Sequence, residues 1–152
     1  MRSAAMTDPL SSTVLSGLAS VLLSAGRYEE AAGHCQKAAA TRCLGRARLG
    51  QGRIDEAIQI LATDKQYLGY AYGRAGRREE AEKFAADAAP NAFTQALTFA
   101  GMGDKDRTLE ALGRLASNGA VRVGRALNSP EFALLHGDPR VNALRKKVGL
   151  PE

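Results

Sequence analysis

Apolar residues recur along this chain at offsets of three and four, the spacing that lines one face of an α-helix. Leu15, Leu18, Val21 and Leu22 set the pattern, and Tyr67, Leu68, Ala71 and Tyr72 repeat it. Each such stretch runs into a glycine, and Gly26, Gly52, Gly76 and Gly103 follow one another at steps of 26, 24 and 27 residues. A glycine there predicts a helix end, because it enters the left-handed backbone region without a steric penalty. Acidic residues come directly after it: Glu29 and Glu30, Asp55 and Glu56, Glu79 and Glu80, then Asp104 with Asp106. Carboxylates in a first helical turn oppose the positive end of the helix dipole, so a second helix is expected to start at each of these points. Ala31, Ala57 and Ala81, with Thr108 in the fourth copy, are small enough to let that second helix press on the first.

The bends are near copies of one another: "AGRYEEA" at 25–31, "QGRIDEA" at 51–57, "AGRREEA" at 75–81 and the looser "MGDKDRT" at 102–108. A period between about 20 and 50 residues marks a repeat array. One hairpin cannot bury its own apolar face, whereas stacked hairpins share a continuous core. The expected fold is therefore all-α, a solenoid of helix-turn-helix repeats.

In these units Leu44-Gly45 precede Ala57 and Leu61, and Leu68-Gly69 and Tyr72 precede Ala81. Leu15, Leu18, Ala19, Leu22, Ala31 and Cys35 fill the first copy, and Ala96, Phe99, Thr108 and Leu112 the fourth. This phrasing resembles the tetratricopeptide repeat (TPR) family, whose pattern is W-x2-L-G-x2-Y, then A-x3-F, then P on a period of 34. The likeness covers roughly residues 10–118; no Trp is present and the steps are shorter than 34. It implies a right-handed solenoid whose first helices line a concave, peptide-binding face.

The tail reads differently. In "NSPEFALLHGDPRVNALRKKVGLPE", Ser129 and Asp138 each precede a proline, the order of an N-cap and a first helical residue. Two short helices with Phe132, Leu135, Val141 and Leu144 turned inward are expected to close the stack. The wording is similar to the tail that follows TPR arrays in larger bacterial signalling proteins. The expected organisation is a flexible N-terminus at 1–9, four TPR-like hairpins at 10–118 and capping helices at 119–152.

Composition agrees with helices packed through small side chains: the aromatic share is 5% and there is no Trp. The charge of +5 comes from interspersed acids and bases, which argues against a nucleic-acid partner. The apolar run "VLSGLASVLLSA" at 14–25 is too short to span a membrane. Asp8 and Pro9 interrupt the approach to it, against a signal peptide, so a cytoplasmic location is expected. Cys35 and Cys43, with no metal spacing around them, read as small apolar residues kept reduced.

Candidate chemistry is sparse. His34 and His136 have no nucleophile or base set in sequence, and the glycines serve turns rather than phosphate loops. No catalytic residue, cofactor or metal site is expected. The resemblance instead directs attention to the concave face, placing Arg42 and Arg46 in the second repeat, Gln66, Tyr70 and Arg74 in the third, and Leu97 in the fourth. Arginine grips carboxylates in two places and tyrosine adds apolar area with one hydrogen bond, which suits an acidic segment or a C-terminal carboxylate. The expected function is a non-catalytic scaffold or adaptor module that binds another protein. The alternative is a regulatory or dimerisation module of a bacterial signalling or transcription-regulator system. Leu10, Val14, Leu18 and Val21 form an apolar N-terminal edge on which a homodimer could be built.

Overall fold

A computed structural model describes residues 9–151. The N-terminal segment expected to be flexible lies outside them, except for Pro9. The helices are α1 (Pro9–Ser24), α2 (Tyr28–Lys37), α3 (Thr41–Gly50), α4 (Ile54–Ile60), α5 (Leu68–Arg74), α6 (Arg78–Asp87), α7 (Ala92–Gly101), α8 (Lys105–Leu115), α9 (Ala120–Asn128) and α10 (Pro139–Lys147). Two 3₁₀ turns, Ala116–Asn118 and Pro130–Leu135, flank α9. No strand occurs among the described residues. The chain packs as two compact units, one ending at Thr63 and one beginning at Asp64.

The four hairpin bends are built alike. Gly26, Gly52, Gly76 and Gly103 have φ of +74°, +78°, +76° and +76°. At the first, the Gly26 N–H donates to the Leu23 carbonyl and the Arg27 N–H to Leu22. The same two bonds recur at Gly52/Arg53, Gly76/Arg77 and Gly103/Asp104. This is the Schellman closure, which satisfies carbonyls that the end of a helix leaves open. In three copies the second helix then starts without a side-chain cap, because an arginine stands at the cap position. That arginine instead pairs with the acid three residues on, in Arg27–Glu30, Arg53–Glu56 and Arg77–Glu80. The fourth copy reverses the charges: Asp104 accepts from the Arg107 N–H as a true N-cap and from its guanidinium as well.

The repeat slots fill the core. Ala31, Ala57, Ala81 and Thr108 are fully buried, as are Ala19 and Ala96 at the matching places in the first helices. Gly45 and Gly69 complete that second set, and a Cβ on Gly45 would lie 2.5 Å from the Leu61 side chain. Cys35, Leu61, Ala85 and Leu112 are buried one turn beyond the small residues. Within α1 the inward residues are Ala19, Leu22 and Leu23, whereas Leu18 and Val21, expected to share that face, point to solvent.

The structure departs from expectation in the α2–α3 turn and in the tail. Cys35 and Cys43 are joined by a disulfide rather than held as free thiols, because the α2–α3 turn brings their Cα atoms to 5.5 Å, a span that a disulfide bridges. That turn has no glycine, and Ala39 takes φ +54° in its place. In the tail, Ser129 does not cap: its hydroxyl donates to the Arg125 carbonyl, and Pro130–Leu135 form a 3₁₀ turn rather than an α-helix. Asp138 does cap α10, accepting from the Arg140 N–H at 2.9 Å.

Candidate functional site

In the first unit, α3 turns Gly45, Ala47 and Leu49 into the core. This leaves Arg42 exposed and Arg46 half-buried, four residues apart and thus on one helical face. Arg48 faces elsewhere. Its guanidinium donates to Gln51 Oε1 at 2.8 Å and lies 3.3 Å from Glu56 Oε1, while Gln51 donates to Glu29 at 2.7 Å. This network ties α2, α3 and α4 together, so Arg48 serves packing while its neighbours remain on the surface.

In the second unit, Asp64 organises the entry to α5 by accepting from the Gln66 and Tyr67 N–H groups at 2.8 and 2.7 Å. Tyr70 and Arg74 follow one turn apart. Arg74 Nη1 donates to the Tyr70 hydroxyl at 3.1 Å, and the guanidinium carbon stands 5.9 Å from the ring centroid. The ring is almost wholly buried, whereas Arg74 is exposed. A rigid phenol therefore orients an arginine head that is presented to solvent.

Leu97 does not join this surface. It is fully buried, one of eight consecutive buried residues from Thr94 to Gly101. Helix α7 is packed by α5, α6 and α8 and also by the Pro130–Leu135 turn, where the rings of Phe93 and Phe132 lie 6.1 Å apart. Phe93, half-buried, and Leu97, buried, share a helical face. Buried Gln95 also joins neighbouring helices, donating to the Ala85 carbonyl and accepting from Arg114.

Sequence reasoning missed the arginine pairs that cross between hairpins. Arg107 meets both Glu82 carboxylate oxygens at 2.7 and 2.9 Å, reaches Asp104 at 2.6 Å and stacks over Phe99 at 4.4 Å. The only signal was a separation of 25 residues, one repeat period. Hydrogen bonding to Arg107 holds the Glu82 and Asp104 carboxyls below their ordinary values of 4.5 and 3.8. Lowered folded-state values favour the charged carboxylates, so this stabilisation is present above those ordinary values and fades as acid protonates them. Arg107→Gln is expected to cost about 1 kcal/mol at neutral pH, a figure kept small because these side chains are about a third exposed. Chemical denaturation at pH 7 and pH 3 should show a smaller gap between wild type and variant in acid.

Among the described residues no group of three or more His, Cys, Asp or Glu could hold a metal ion, and no helix is long and apolar enough to cross a membrane. Residues 12–44 match the family model described as tetratricopeptide repeat. No curated protein and no solved structure matches the chain. The match runs from α1 through the Gly26 bend and α2 into α3, and the same bend and buried slots recur three times beyond it. Residues 12–44 thus resemble a tetratricopeptide repeat, and the described residues form an all-α series of TPR-like helical hairpins.

Proposed function

We propose that this chain is a non-catalytic module that binds a segment of another protein. The receiving surfaces are Arg42 and Arg46 on α3 and, separately, Arg74 on α5, backed by the buried Tyr70 and joined by Gln66 just before that helix. TPR repeats generally mediate protein–protein interaction, which supports the class of function. The observation that carries the site is the Tyr70–Arg74 pair, in which the hydrogen bond at 3.1 Å steadies an exposed guanidinium. A steadied arginine loses less freedom when it grips a carboxylate, so an acidic segment or a free C-terminal carboxylate is the favoured ligand.

A fluorescence titration with acidic peptides, each also prepared as its amidated form, tests this. Arg74→Glu and Arg46→Glu are each expected to weaken binding at least about tenfold, the cost of losing a hydrogen bond to a charged group. Tyr70→Phe should give a smaller loss, because it frees the arginine without removing its charge. Affinity unchanged by either reversal would reject these surfaces.

A further inference from the structure

α1 is the least polar element on the surface of the first unit. Residues 9–24 hold no Asp, Glu, Lys or Arg, in a chain where charged residues make up 24%. Its outer face nevertheless carries Val14, 64% exposed, Leu18, 43% exposed, and Val21, 66% exposed. Leu10, the remaining residue of the expected apolar edge, lies outside the side chains that the structure describes. Gly17, exposed beside Leu18, carries no side chain, and a Cβ placed on it would meet nothing within 4 Å, so the surface there is open. At 100° per residue Val14, Gly17, Leu18 and Val21 fall on one face about 100° wide.

The order of these residues is symmetric. Val14 stands three residues before Gly17, and Val21 three residues after Leu18. A two-fold axis crossing the helix between Gly17 and Leu18 therefore sets Val14 against Val21 of a second copy. The same axis sets each Leu18 side chain over the bare Gly17 of the other. An isologous contact needs this kind of self-complementary patch. The absence of charge also matters, because two copies of a chain of net charge +5 meet here without opposing like charges.

We propose that this face of α1 is a self-association surface, pairing antiparallel with α1 of a second copy. From Val14 to Val21 the stripe spans only about 10 Å at 1.5 Å per residue. Such a contact is much smaller than the about 1,600 Å² of a standard stable interface, so the dimer is a weak, concentration-dependent one. Its residues are distinct from those proposed to bind a peptide on α3 and α5.

Sedimentation equilibrium from low micromolar to near-millimolar protein tests the pairing. The weight-average mass is expected to climb toward twice the monomer mass, and Leu18→Glu, an exposed helical substitution, should hold it at the monomer. Far-UV circular dichroism confirms that the variant keeps its helices. Register is tested by oxidative cross-linking, in which Val14→Cys mixed with Val21→Cys should form a disulfide-linked dimer. Val14→Cys alone should link far less, because its two copies would sit about 10 Å apart along the axis, whereas a disulfide requires Cα atoms within about 7 Å. A monomer at every concentration, a dimer indifferent to Leu18→Glu, or Val14→Cys linking to itself as readily as to Val21→Cys would overturn the proposal.

Discussion

Replacing Gly101 with alanine is expected to destabilise the second unit by about 3 kcal/mol, the upper range for overpacking a close contact. The added Cβ would press on the Tyr70 carbonyl oxygen and lie 2.8 Å from the Tyr70 Cα. Both are backbone atoms, which cannot swing aside as a side chain can. The contact works in both directions, since a Cβ on Gly73 would lie 2.5 and 2.6 Å from the backbone of Gly101 and Met102. Helices α5 and α7 therefore meet backbone to backbone, and relief would require their separation. The control is Gly113→Ala, on α8, where an added Cβ meets nothing within 4 Å. That change should gain about 0.5–1 kcal/mol from helix propensity alone. Urea denaturation of the two variants separates the effects, and equal, small shifts would refute close packing at Gly101.

Phe132→Ala should cost about 3–4 kcal/mol through lost apolar burial and the cavity left behind. Phe132 is 0% exposed, and its ring meets Phe93 on α7. The turn that carries it, with Leu135 at 1%, is thus part of the core of the second unit rather than a loose appendage. Thermal unfolding of the variant is expected to show one transition at lower temperature. A loss below about 1 kcal/mol, close to the range of surface substitutions, would show that the tail contributes little to that core.

The hairpins were legible in the sequence because each depends on a residue with few substitutes. A glycine at positive φ ends the first helix, and a small residue at Ala31, Ala57, Ala81 or Thr108 permits the second to close on it. Local chemistry of this kind repeats visibly. The α2–α3 turn was harder to read, since Ala39 takes a conformation that favours glycine and gives no compositional sign of it.

The candidate site was legible only in part. Helical periodicity suffices to place Tyr70 and Arg74 one turn apart, and the structure brings them into hydrogen-bonding contact. Leu97 was carried over from the pattern of the first helices, but it lies buried on a helix that packs on several others and on a turn more than thirty positions later in the chain. No local periodicity records that packing. The disulfide and the Arg107–Glu82 pair were hidden for the same reason, since each depends on how one helix is set against another.

If the proposed function holds, α3 and, separately, α5 each carry a binding surface. The most direct measurement is a nitrogen-15 NMR titration with an acidic peptide, reading backbone amides and arginine side-chain N–H groups together. Shifts are expected to concentrate at Arg42 and Arg46 and at Gln66, Tyr70 and Arg74, with α1 and the tail after Gly119 undisturbed. Shifts centred on α1 or on that tail, or none at a peptide excess, would contradict the proposed function.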